Sequence, residues 1–435
     1  MKVLVIDATG SSLDFCLRAQ EWGHEVRLWI PPKRTGDEQP FGDGLVQKVK
    51  EWQKYMPWAD MAVVQDNSAY RDDLEPFFRK GYPIFGCNKA ASELELDRGK
   101  GQEVLRKCGI ETIPYEIFSS YDKAIEYVKQ EKRPFVSKPW GGASDKGLSF
   151  VAKTPEDMVY KLRHWKEEKK AGEFMLQEFV PGVEFAVGGW FGPGGWNRMI
   201  CENFEEKSFM DGGLGGNTGE QGTVLKYVVK SKLFDELLDP LTDYLHGLDY
   251  VGYCDVNAIV TDKAMPLEFT MRFGDPTFQI QQALHEGDPV EWMADLLEGR
   301  DTLRASKDVA VGVVLTHGDY PHGHLSSRRV VGYPIRGITA RNVDSLHFMQ
   351  VMDGVGPVRM GDEIKDVSMY VTAGDYVMVV TGTGPTVRDA RANAYRTAWA
   401  ITWPSNKMMR TDIGMRLKSD LPRLQEMGYA KEFTY

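Results

Sequence analysis

A short apolar run, Val3-Leu-Val-Ile-Asp7, stops at Gly10; a helical pattern then extends from Leu13 to Trp22, and strand-like runs follow at Glu25 to Ile30 and Met61 to Val64. This alternation restricts the fold more than any other feature of the chain. It predicts a parallel sheet with helices on both faces, because parallel strands need crossover connections that cover the sheet. Ligands in such sheets lie at the carboxyl ends of the strands, and the turn Asp7-Ala-Thr-Gly-Ser-Ser12 occupies one of those ends. The turn lacks the G-x-G-x-x-G fingerprint, which argues against a dinucleotide site.

The remainder reads as two further units. A helix is expected from Lys100 to Cys108, a strand at Tyr115 to Phe118 and a helix at Tyr121 to Gln130. The strands Phe135 to Lys138 and Leu148 to Ala152 then flank a loop containing Gly141, Gly142, Lys146 and Gly147. Ser231 to Leu248 reads as one amphipathic helix, and Gly252 to Val260 as a strand with Asp255 and Asn257 on one face. Strand-like runs at Val309 to Leu315, Tyr370 to Thr372 and Val377 to Val380 precede a helix from Thr386 to Trp399, with Thr386 as N-cap. The expected organisation is α/β and α+β multidomain: an N-terminal parallel-sheet domain at 1–98, a central domain at 99–305 with a smaller subdomain at 121–187, and a β-rich C-terminal domain at 306–435.

With 435 residues, 42% of them hydrophobic, the chain can bury a sizeable core. A net charge of −10 and a pI near 5.5 argue against nucleic acid or anionic membranes as partners. No apolar run reaches the length of a membrane span, and Met1 leads straight into a strand without a signal-peptide pattern, so a cytoplasmic location is expected. Five scattered cysteines form no C-x-x-C pair and read as buried thiols. His317, His322 and His324 lie in a glycine- and proline-marked loop without the helical spacing of a zinc pair.

The chemistry concentrates in Pro266-Leu-Glu-Phe-Thr-Met-Arg-Phe-Gly-Asp-Pro-Thr-Phe-Gln279. Side chains alternate along a strand, so Glu268, Thr270 and Arg272 share one face while Leu267, Phe269 and Met271 point into a core. Such a carboxylate can hold Mg2+ on nucleotide phosphates, and such an arginine can stabilise a transferring phosphoryl group. A surface salt bridge is the alternative for these residues alone. The loop between Phe135 and Ala152 offers backbone amides and Lys146 to phosphate, or is an ordinary hairpin. Gly212 to Gly219, five glycines in eight residues, is either a linker or an anion-binding loop, with Asn217 and Thr218 able to fix a substrate.

Glu268 to Gln279 resembles the E-F-N-x-R-F-G-D-P-E-x-Q signature of phosphoribosylamine-glycine ligase, an ATP-grasp enzyme of purine synthesis. Other matches follow in the family's order: Ile84-Phe-Gly86, the lysine strand and glycine loop Phe135 to Gly147, the hinge Gln177 to Glu184, Gly215 to Gly219 against G-P-N-T-G-G, then Gly318 to Pro321 and Arg410 to Arg416. The resemblance implies ATP and Mg2+ (or Mn2+) as cofactors. It places Arg98, Lys138, Lys146, Glu178, Phe179, Val180 and Glu184 around the nucleotide, with 178–180 at adenine and Glu184 at the ribose. Glu268 and Thr270 would hold metal; Asp255 and Asn257, polar on an otherwise apolar strand, are either paired in the core or line that metal site. Gly216, Asn217, Thr218, Gly219, Arg272, Gly274 and Asp275 would meet substrate, with Arg272, Lys146 and Asp275 catalytic. Partners would be small molecules, glycine and a phosphorylated amine, handled by a monomer or homodimer.

Departures from the family are confined. Asp7 to Asp14 lacks the residues of the family turn G-x-G-G-R-E-H, and Gln65 to Tyr70 stands where the family has G-P-E-x-P-L. Arg98 replaces a lysine, Thr270 an asparagine, and Thr277 the glutamate after Gly-Asp-Pro. An ATP-grasp ligase with another amine acceptor, or a non-catalytic nucleotide-binding paralogue, are the alternatives these changes raise.

Overall fold

The computed structural model describes residues 1–33, 36–140, 148–318, 320–321 and 330–435. At its N-terminal end four strands, Lys2–Ile6, Glu25–Trp29, Met61–Val64 and Ile84–Phe85, pair in parallel with Lys2–Ile6 and Met61–Val64 at the centre. Their period of two divides the core. Val3, Val5 and Val63 pack on one side with Phe15 and Phe85, and Leu4, Ile6 and Ala62 on the other with Trp52 and Leu74.

A second sheet of four antiparallel strands is built from Tyr115–Phe118, Glu173–Glu178, Phe135–Trp140 and Phe150–Val151, in that spatial order. Helices Tyr121–Glu131 and Pro155–Glu167 cover one face around Val128, Leu162, Trp165 and Phe174. Phe135 and Ser137 face this core, so alternation turns Lys138 to the opposite side.

The third sheet has 10 strands, antiparallel throughout. Ala264–Thr270 is at one edge, followed inward by Gly252–Val260 and Val183–Gly192. Further across, Gly222–Val228 pairs with Val309–His317, and that strand with Tyr376–Gly384. The expected boundary at 305/306 thus falls inside a continuous sheet. Thr386 caps the helix Val387–Ala400 by accepting the Asp389 amide, as the sequence indicates.

Three expectations change. The single helix from Ser231 to Leu248 is broken into Lys232–Leu237, a 3-10 turn at Asp239–Leu241, and Thr242–His246. Pro240 carries no N–H and its ring clashes with the preceding turn, so the chain bends there despite the apolar period. Leu267 does not point into the core beside Phe269: the register slips opposite Asn257 and Ala258, and Leu267 instead lines a cavity. The run at Tyr370 to Thr372 is the end of a longer hairpin, Val351–Met360 with Glu363–Thr372, whose tip is exposed and therefore lacks an apolar pattern.

Candidate active site

A cavity of about 810 Å3 opens where the N-terminal sheet, the glycine-rich hairpin and the edge strand Ala264–Thr270 meet. Arg98, Gly219, Glu268, Thr270, Arg272, Gly274 and Asp275, separated by up to 177 residues in sequence, all line it. Arg98 opens the helix Arg98–Lys107, whose N-cap Asp97 accepts the Lys100 amide. The helix can lie close against the edge strand because residue 101 is glycine: a Cβ there would meet the Leu94 carbonyl oxygen at 2.5 Å and the Phe269 ring at 3.3 Å.

That close approach sets Arg98 Nη2 3.0 Å from Glu268 Oε2. Lys207, which the motif comparison passed over, is the centre of the cluster: its Nζ lies 3.0 Å from Glu184 Oε1, 3.0 Å from Glu205 Oε2 and 3.7 Å from Glu268 Oε1. Burial by itself would raise the Glu268 carboxyl, but Lys207, Arg98 and Lys138 outweigh it and hold the group well below the usual carboxylate range. Burial acts the other way on Lys138, lowering it to about 8 in spite of the nearby Glu268. Lys207 is carried well above its ordinary value by its three acidic neighbours, against the effect of burial.

The cluster suits a polyphosphate with a divalent ion. Arg98 Nε and Nη1 are buried without hydrogen-bond partners among the described residues, leaving N–H groups for an anion. Asn257 faces Glu268 across the strand pair, and its Oδ1 likewise has no partner among the described residues while its Nδ2 donates to Glu205 at 2.8 Å. A carboxylate and an amide oxygen side by side are hard ligands of the kind Mg2+ accepts. Thr270 lines the same wall.

Asp255 is placed differently from Asn257. It is buried, accepts hydrogen bonds from Asn203 at 2.9 Å and Tyr253 at 3.3 Å, and does not line the cavity. Burial, then the charge of Glu205, raises it to about 7.

Glu178 is paired with Arg133 at 2.7 Å. The amides of Glu178 and Phe179 donate to Pro114 and Pro134, so a base would find Val180 as the remaining amide of that expected trio. Gly216 and Asn217 belong to an exposed strand, Leu214–Asn217, paired with Ser208–Met210. Thr218 turns back to bond the Lys207 carbonyl at 2.9 Å, which ties the hairpin to the charged cluster. Lys146, with Gly141 to Gly147, and His322 and His324 lie outside the described residues. His317 is buried and receives the Trp403 indole N–H at 3.1 Å.

At the far end of the cavity Arg272 Nε bonds Glu95 Oε1 at 3.1 Å, and Glu95 also accepts from Asn67 and from the Met271 amide. Asp275 is raised to about 6, mainly by burial. On the N-terminal sheet Asp7 gathers the amides of Thr9, Gly10 and Ser12, and Gln279 donates to the Ser11 carbonyl, joining that turn to the helix Thr277–Gln282. Glu95, Glu205, Lys207 and Glu220 escaped the sequence reading. Glu205-Glu-Lys207 at a strand end next to a glycine-rich loop was the available signal for two of them.

A small antiparallel sheet bearing Lys138, set against a large sheet bearing Glu268, is the arrangement of an ATP-grasp ligase. Residues 100–278 match the family described as phosphoribosylglycinamide synthetase, ATP-grasp (A) domain. The chain is 28% identical over 358 residues to the phosphoribosylamine–glycine ligase of Allochromatium vinosum, covering 79% of this chain and 80% of that one. It is 26% identical over 439 residues to the ligase of the same name from Streptococcus pneumoniae, covering 96% and 99%. A crystal structure of phosphoribosylamine–glycine ligase from Thermotoga maritima shares the fold with a TM-score of 0.71 at 20% identity, over 95% of this chain and 100% of that one. The chain is thus similar over nearly its whole length to phosphoribosylamine–glycine ligases.

Proposed function

We propose that this protein is an ADP-forming C–N ligase that activates glycine as an acyl phosphate and joins it to phosphoribosylamine, a step of purine synthesis. The observation that carries this reading is the meeting of Arg98, Lys207 and Glu268 on the wall of one cavity, within the electrostatic reach of Lys138. Lys138 and Arg98 bind the ATP phosphates, Glu184 the ribose, and the segment Glu178 to Val180 the base. Glu268, with Asn257 or Thr270, holds Mg2+ or Mn2+, which when bound supplies charge neutralisation at the phosphates. Lys207 offsets the negative charge that accumulates as the phosphoryl group moves to the carboxylate.

Arg272 orients the carboxylate substrate, and the hairpin at Gly216 to Gly219, with Gly274 and Asp275, bounds the amine. The amine nitrogen bonds to the acyl carbon, the C–O bond to phosphate breaks, and the nitrogen gives up a proton. No described helix is long and apolar enough to cross a membrane, and a small-molecule ligase of this kind works in the cytoplasm.

The test is ADP release with glycine and freshly made phosphoribosylamine, followed by mass spectrometry of the product. A glycinamide ribonucleotide mass is expected. ADP release that needs a different amine would shift the acceptor, and no amine- or carboxylate-dependent ADP at all would defeat the ligase reading.

A further inference from the structure

Two carboxyl groups at the acceptor end of the cavity have no part in carboxylate activation. Glu220 directly follows the glycine-rich hairpin and Asp275 follows Gly274, and both line the cavity. Glu220 is only 5% exposed. Thr277 Oγ1 donates to Glu220 Oε2 at 3.3 Å, which fixes the carboxyl from one side. Glu220 Oε1 is buried without a hydrogen-bond partner among the described residues, and Asp275 has the Tyr376 hydroxyl beside it. Arg272, the cation beside Asp275, is already engaged by Glu95.

A buried polar atom left unpaired is destabilising, so such atoms on a cavity wall are retained where a ligand completes them. Carboxyl groups close to Asp7 and Glu205, whose neighbouring cations Arg272 and Lys207 are held by other carboxylates, disfavour a phosphate and favour N–H and O–H donors. The motif positions carry the same message. In the patterns this chain resembles, glycine occupies the place of Glu220 and glutamate the place of Thr277. Here residue 220 is the glutamate and residue 277 a threonine, and the two touch, so a carboxyl absent at 277 reaches the same wall from 220.

We propose that Glu220, anchored by Thr277 and working beside Asp275, is the specificity-determining residue for the amine acceptor, binding the N–H and O–H donors of its amino-sugar end. This rests on the ligase reading above. Glu220 binds and orients the acceptor, and the nucleotide is held elsewhere.

Glu220→Gln should raise the KM for phosphoribosylamine about ten-fold, the loss of roughly one hydrogen bond, with the KM for ATP and for glycine little changed. The exchange Glu220→Gly with Thr277→Glu should bring the acceptor KM back toward the unaltered value. An unchanged acceptor KM in folded Glu220→Gln, or an equal rise for all three substrates, overturns the proposal. Should Glu220→Gln fail to fold, Thr277→Val releases Glu220 without removing it. A rise confined to the acceptor KM supports the proposal, and no rise overturns it.

Trapping with hydroxylamine separates the two readings. If the unaltered protein makes no hydroxamate from glycine and ATP, the ligase reading fails, and Glu220 is then judged by calorimetry with ribose 5-phosphate. Weaker binding to Glu220→Gln supports the subsite, whereas equal binding, or none to the unaltered protein, overturns it.

Discussion

Replacing Lys207 with methionine removes the shared counter-ion of three carboxylates while keeping a side chain of similar length. Its ammonium is 3.0 Å from Glu184, 3.0 Å from Glu205 and 3.7 Å from Glu268. Deleting one partner of a fully buried ion pair costs about 3–5 kcal/mol. Lys207 is 30% exposed, Glu184 33% and Glu268 39%, so solvent screening lowers the expected cost to about 1–3 kcal/mol. At pH 7 this appears as a Tm several degrees lower in differential scanning calorimetry.

The sign with pH follows from linkage. Lys207 helps hold Glu184 and Glu268 below the ordinary glutamate value of 4.5, so its benefit is present above that value and fades as pH falls through the folded-state values. The Tm difference between the two proteins should therefore narrow below pH 4.5. Added Mg2+, able to take the vacated positive position, should stabilise Lys207→Met more than the unaltered protein, while ADP formation falls. A Tm difference constant from pH 7 to pH 4, with equal Mg2+ effects on both proteins, would mean that the change acts through packing and would refute the electrostatic argument.

Glu268→Gln should abolish ADP formation with an unchanged circular-dichroism spectrum, since the phosphates lose their carboxylate-held ion; near-normal turnover at ordinary Mg2+ would remove Glu268 from the metal site. Because burial lowers Lys138 to about 8, its ammonium is lost as pH rises through that value and is restored by bound phosphate. Calorimetry in two buffers of different ionisation enthalpy should then show proton uptake on ATP binding at pH 8 to 9, absent in Lys138→Ala. Thr386→Ala removes the side-chain bond to the Asp389 amide and should cost about 1 kcal/mol of stability without altering the KM for ATP; a shifted KM would connect this distant helix to the site.

Local chemistry made much of the architecture legible. The runs at Met61–Val64, Tyr115–Phe118 and Gly252–Val260 coincide with strands because each is an apolar or alternating stretch bounded by turn residues. The face shared by Glu268 and Thr270 follows from the period of a strand, and the cap at Thr386 from the affinity of a hydroxyl for free amides. Pro240 shows the limit of periodicity: an apolar helical repeat persists through a residue that cannot continue the helix.

Only the tertiary structure could separate Asn257 from Asp255. Both project from the same strand face, yet Asn257 lies opposite Glu268 on the cavity wall, and Asp255 is enclosed by Asn203 and Tyr253. Lys207 and Glu220 are equally silent in sequence, as an ordinary lysine and glutamate beside a glycine-rich stretch. Their roles arise from neighbours 57 or more residues away along the chain in the pairings Thr277–Glu220 and Lys207–Glu268. Periodicity records which way a side chain points from its own element, whereas charge clusters and unpaired oxygens depend on which elements the fold brings face to face, and that is decided by long-range packing.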